Sequence, residues 1–305
     1  MFEGSLPALI TPFTNGAVDE DGFRAFVEWQ IEEGSNGLVP CGTTGESPTL
    51  SHDEHKQVTE ICIDQAKGRV PVIAGAGSNS TAEAVDLAKH AKQAGADAVL
   101  VVTPYYNKPT QKGMYEHFKA VQDVGAPVII YNIPPRSIVD MTPQTMAELA
   151  GLPNIVGVKD ATMDLHRPQV TRVAMKNASN GQGKDEGKDE ADDFCFLSGE
   201  DGTAVPFLAA GGAGCISVTA NVAPRQCSDM QRKWREGDIA GCMALQDRLT
   251  PLHQALFCEA SPGPVKYAAH LLGKCSAEAR LPITEIADDS KDKVRAALVE
   301  VGLLN

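Results

Sequence analysis

The chain has 305 residues, 43% of them hydrophobic and 22% charged, which is enough to bury a large core, and it carries a formal net charge of −13. That acidic excess argues against a nucleic-acid partner, because phosphate binding needs clustered lysine and arginine, and positive charge for any anionic ligand must be supplied locally. No apolar run approaches the roughly 20 residues of a membrane helix, and Met1-Phe2-Glu3-Gly4 lacks a secretion pattern, so a cytoplasmic protein away from membranes is expected.

Eight apolar runs of strand length alternate with helical patterns before the last third of the chain. The runs cover residues 6–11, 37–41, 70–74, 98–103, 127–131, 155–159, 194–197 and 215–218. Several are apolar throughout, as parallel strands buried on both faces are. Helices are predicted near 20–33, 52–67, 81–94, 112–124, 143–150, 164–176, 202–210 and 224–236. Ser51, Thr81 and Thr142 stand where caps belong.

Eight strand–helix units predict an α/β fold, a (β/α)8 TIM barrel over residues 1–236. A doubly wound sheet is the alternative, but it would place a glycine-rich phosphate loop after its first strand, where none stands. Residues 237–305 turn helical only, near 238–257, 264–273 and 290–301, and predict a C-terminal helical appendage open to a lid or partner-binding role. Residues 177–193, NASNGQGKDEGKDEADD, predict a solvated, mobile loop on the barrel face away from the chemistry. The eight cysteines form no Cys-x-x-Cys and no zinc spacing, which predicts buried or partly buried thiols and no metal.

In such a barrel the chemistry lies at the C-terminal ends of the strands. Lys159 closes the sixth run, and alternation turns it either into the barrel mouth or out toward the helices. Inward, among apolar walls, it offers a neutral amine for attack on a ketone. Outward, it is a strand-end charge paired with Asp160 or exposed. Gly42-Thr43-Thr44-Gly45 presents backbone N–H groups and two hydroxyls suited to a small carboxylate, and is equally an ordinary turn. Tyr131 either shuttles a proton or packs structurally. Arg136, beyond Pro134-Pro135, either grips a second carboxylate or lies at the surface.

These strand ends resemble the dihydrodipicolinate synthase / N-acetylneuraminate lyase family, and the similarity runs from Gly4 to about Leu281. Four motifs carry it, in the family's order: residues 42–46 (GTTGE), 103–107 (TPYYN), 131–136 (YNIPPR) and 157–160 (GVKD). The resemblance implies that Lys159 forms an imine with pyruvate and that Thr43 and Thr44 bind its carboxylate, with Gly42 and Ile216 among the substrate contacts. It implies a proton relay of Tyr131 and Thr43 with Tyr106, which reaches a neighbouring subunit's site. Arg136 would bind the incoming aldehyde, aspartate semialdehyde, and would separate a synthase from sugar-acid lyases. No metal or organic cofactor is implied. Ser47, His52, His55, Asn79, Glu83 and Tyr105 match positions that bind lysine in feedback-inhibited members, and the implied assembly is a homotetramer built as a dimer of dimers. Two alternatives stand beside this reading: a pyruvate-dependent aldolase acting on sugar acids, and a non-catalytic barrel that senses a small carboxylate.

Overall fold

The computed structural model describes residues 2–180 and 194–305. In chain order its elements are β1 Gly4–Pro7, β2 Phe13–Thr14, β3 Ala17–Val18, α1 Glu20–Glu32, α2 His52–Ala66, β4 Ile73–Gly75, α3 Thr81–Ala94, β5 Ala98–Val102 and α4 Gln111–Gln122. There follow β6 Val128–Asn132, α5 Pro134–Ser137, α6 Pro143–Ala150, β7 Ile155–Asp160, α7 Arg167–Asn180, β8 Cys195–Ser198, α8 Ala204–Ala209, β9 Gly214–Ser217 and α9 Pro224–Arg235. Helices α10 Ile239–Ala255, α11 Gly263–Leu271 and α12 Asp288–Glu300 complete the described chain. The fold is a (β/α)8 barrel with C-terminal helices.

The residues form two compact units, Ile73–Cys215 with Met1–Glu3, and Gly4–Val72 with Ile216–Asn305. In the first, β4 through β8 pair in chain order and all in parallel, and Gly214 and Cys215 of β9 continue the ladder beside β8. Strands β5 and β6 are buried on both faces almost throughout, which explains their unbroken apolar runs. Val99, Val101, Ile130, Val158 and Phe196 pack with Phe118 and Met146 of the helices into one core.

In the second unit the Ala8 amide donates to the Ser217 carbonyl at 2.8 Å, Ala8 bridges Val39, and Leu38 bridges Val72. The second predicted strand, 37–41, is therefore reduced to single bridges. Pro40 has no N–H for a ladder, and Gly37 lies so near Leu6 that an added Cβ would be 2.8 Å from Leu6 Cδ2. Phe13, Phe23, Phe26, Leu38, Ile61, Leu252 and Leu298 belong to this unit's core. Two short elements lie outside the predicted ones, the helix α5 and a hairpin of β2 and β3 turned by Asn15-Gly16, both residues at positive φ, a signature of a primed two-residue turn.

Local signals explain the helix starts. Ser51 accepts from the Glu54 amide while Glu54 reaches back to the Ser51 amide, a full capping box, and the Thr142 hydroxyl accepts from the Thr145 amide. Thr81 is a correction. The cap position of α3 is Ser80, and the Thr81 hydroxyl instead shares a 2.9 Å hydrogen bond with His117 Nδ1. The predicted acidic loop is corrected at its start, because α7 runs to Asn180 and Ala174 and Ala178, four apart, both pack on the core. Its remaining residues, 181–193, lie outside the described residues. Six cysteines are buried and two half-buried, as expected.

Candidate active site

Strands β6 and β7 set the first group of residues. A register shift between Val128 and Ile129 places one extra residue on β7, so that Ile129 faces Gly157 and Tyr131 faces Lys159. Ile130 and Val158 belong to the core shared with the helices, so alternation turns Tyr131 and Lys159 to the other face of the sheet. Both are 6% exposed, and Lys159 Nζ stands 4.1 Å from the Tyr131 ring centroid. Inward is thus the observed orientation.

The outward alternative, a Lys159–Asp160 pair, does not form. Asp160 points the opposite way and accepts from the Thr162 amide at 2.8 Å and its hydroxyl at 2.7 Å. Burial pushes the Asp160 carboxyl up, opposed by the bonds to Thr162. Gly157 allows the close approach of β7 to β8, since an added Cβ would sit 2.6 Å from the Cys195 carbonyl oxygen.

The end of β8 supplies residues that the sequence reading missed. An added Cβ at Gly199 would fall 2.8 Å from Ala161 Cβ, 3.1 Å from the Asp160 carbonyl oxygen and 3.2 Å from Lys159 Cε, so this glycine lets the chain after β8 close on the end of β7 beside the lysine side chain. Glu200 follows, its carboxyl raised by burial and lowered in part by the Gly202 amide and by the charge of Lys159. Ser198-Gly199-Glu200 stands where the seventh predicted strand ends, the position at which barrel chemistry is expected, and that position is the signal for these residues.

Arg136 lies exposed on α5, a single turn begun by Pro134. Tyr106 is 87% exposed and holds φ 70°, in the left-handed region that side chains other than glycine adopt rarely. Tyr105 beside it is half-buried. Its phenol is raised by burial and by the charge of Glu83, which accepts a hydrogen bond from the Ser78 hydroxyl. Asn79 belongs to the same neighbourhood, its carbonyl accepting from Asn107 at 2.8 Å.

In the other unit, residues 42–47 make a tight loop after Cys41, which is itself at positive φ. The Gly45 amide donates to the Gly42 carbonyl and the Glu46 amide to the Thr43 carbonyl, each at 3.1 Å. Gly45 fits where an added Cβ would be 2.9 Å from the Leu9 carbonyl oxygen. Thr44 is buried, while Thr43 and Gly42 are half-exposed, and Ile216 is buried within β9. Ser47 opens a short 3-10 turn, His52 is exposed at the start of α2, and His55 is buried one turn on. Each unit therefore groups its own share of the expected residues.

A sequence model of the Dihydrodipicolinate synthetase family matches residues 1–301. The chain belongs to that family. It is 60% identical over 305 residues to a 4-hydroxy-tetrahydrodipicolinate synthase of Rhodospirillum centenum, with 100% of each chain covered. Among solved family structures, the chloride-inhibited dihydrodipicolinate synthase of Acinetobacter baumannii, complexed with pyruvate, has a TM-score of 0.92 at 42% identity, covering 100% of each chain. That of Cyanidioschyzon merolae with lysine bound has a TM-score of 0.92 at 34% identity, covering 99% of each chain.

Proposed function

We infer that this chain condenses pyruvate with L-aspartate 4-semialdehyde to give 4-hydroxy-tetrahydrodipicolinate and water, the committed step toward diaminopimelate and lysine. The observation that carries the reading is a buried lysine facing a buried tyrosine at the barrel strand ends, in a member of the synthase family.

The proposed roles follow from the chemistry. Lys159 attacks the ketone carbon of pyruvate, and loss of water leaves an imine that acts as an electron sink. A proton then leaves the methyl carbon, giving an enamine that forms the new carbon–carbon bond to the aldehyde. The amine of that substrate displaces Lys159 by transimination, which closes the ring and frees the lysine. Thr43 and Thr44, with Gly42 and Ile216, take the pyruvate end, the threonines binding its carboxylate. Tyr131, Thr43 and Tyr106 move the protons. Arg136, exposed on α5, takes the carboxylate of the semialdehyde.

The test is turnover of pyruvate plus aspartate semialdehyde, coupled to reduction of the product. Turnover of sugar acids in place of this pair would overturn the reading. A non-catalytic carboxylate sensor is disfavoured, because a binder has no use for an amine held against a phenol.

We further propose that lysine regulates the enzyme, with Glu83 taking the ammonium group and Asn79, Tyr105, Ser47, His52 and His55 as the other contacts. The lysine-bound structure from Cyanidioschyzon merolae supports this reading. Millimolar lysine is expected to slow turnover, and Glu83→Gln to raise the half-inhibiting concentration by about tenfold, the effect of losing one charge-assisted hydrogen bond. Undiminished activity of the native enzyme in millimolar lysine would remove the proposal. The exposed, left-handed Tyr106 supports assembly into dimers and tetramers in which that ring serves a neighbouring copy.

A further inference from the structure

Beside the loop of Thr43 and Thr44 lies a buried ion pair that the chemistry above does not use. Lys266 of α11 is 0% exposed and Glu46 is 3% exposed, and their charged atoms meet at 2.7 Å. The second Glu46 oxygen accepts from the Arg280 backbone amide at 2.9 Å. Lys266 also donates to the Thr11 carbonyl at 2.9 Å, and the Thr11 hydroxyl donates to the Gly45 carbonyl at 2.7 Å. The Phe13 ring, fully buried, receives Lys266 Nζ at 4.1 Å and the Arg280 guanidinium carbon at 4.3 Å.

Two features set this cluster apart from ordinary packing. Glu46 stands at φ 57°, where glycine would fit without strain, so a charged side chain is retained at a backbone position that disfavours it. Its amide is bonded to the Thr43 carbonyl, so holding Glu46 holds the backbone two residues from Thr44. A charged pair removed from water adds little net stability compared with apolar side chains of similar volume, which leaves geometry as the benefit. Burial pulls the Lys266 ammonium below the usual lysine value, opposed by the charge and hydrogen bond of Glu46.

We propose that Glu46 and Lys266 form a buried clamp through which the C-terminal helices fix the Thr43–Thr44 loop, making both of them positioning residues for pyruvate. The proposal rests on the assignment of that loop to the pyruvate carboxylate. Arg280 extends the clamp, since its guanidinium donates to Glu54 at 2.8 and 2.5 Å and to the Thr49 carbonyl at 2.9 Å, tying the start of α2 to the same anchor.

Removing one charge alone would strand the other in the interior, so the decisive variant replaces both, Glu46→Gln with Lys266→Met. Steady-state kinetics of this double variant are expected to show KM for pyruvate raised about tenfold or more, with KM for aspartate semialdehyde within about twofold of the native value. Thr11→Val, which removes only the tie to Gly45, is expected to move the pyruvate KM in the same direction by a few-fold, and it serves if the double variant does not fold. A merely structural pair would lower the thermal midpoint and leave both KM values in place. Native pyruvate KM in a folded double variant, or in Thr11→Val should the double variant not fold, overturns the clamp. Failure of borohydride to trap pyruvate on the native enzyme would instead strike the pyruvate assignment itself, and the clamp's stated purpose with it.

Discussion

Lys159→Ala is expected to leave a folded protein whose condensation rate is lower by about a thousand-fold or more, because imine formation needs the amine itself and residual binding cannot replace it. The fold should survive. Lys159 is 6% exposed and rests on the Tyr131 ring, on the sheet face away from the helix-packed core, so the variant shortens a side chain without opening that core. Borohydride reduction in the presence of pyruvate, followed by mass spectrometry of the peptide carrying residue 159, should show the reduced adduct in the native protein and none in the variant. Circular dichroism and the thermal midpoint establish that the loss is chemical. Turnover within tenfold of native would sink the Schiff-base role.

Tyr131→Phe is expected to lower kcat by about a hundredfold, the usual contribution of a positioned proton-transfer group, with KM for both substrates changed only a few-fold. Phenylalanine keeps the ring that faces Lys159 across the β6–β7 register and the face that lies 4.1 Å from its Nζ. The experiment therefore isolates the hydroxyl. Rapid-quench trapping should show the imine still forming, more slowly. A variant with native kcat would assign Tyr131 to packing alone and remove it from the relay.

Much of the architecture was legible because the alternation of apolar runs and helical periods is written locally. Strands buried on both faces are apolar throughout, and Ser51 with Glu54 marks the start of α2 without help from the rest of the chain. Thr81 misled for a physical reason. A hydroxyl at a helix start suits capping, but His117, 36 residues away, takes it. The short hairpin at Asn15-Gly16 carried its turn signal and was missed because its strands, of two residues each, are too short for alternation to register.

The candidate site divided in the same way. Lys159, Tyr131, Arg136 and the Gly42–Gly45 loop could be named because chemistry-bearing residues at barrel strand ends stand out against apolar runs, while their orientation stayed open. Gly199 and the clamp of Glu46 and Lys266 could not be named with any purpose: Gly199 matters through its close approach to Ala161 and Lys159 across the strand ends, and the clamp joins residues 220 apart in the chain.

By itself, then, the sequence determined the alternation of strand–helix units, most of the residues able to do chemistry, and the family, since each of these depends on neighbours in the chain or on short motifs. The tertiary structure decided where Lys159 points. Counting along β7 leaves either face open, and only the extra residue in its pairing with β6, closed by backbone hydrogen bonds between strands, brings the lysine opposite Tyr131 and away from the helices.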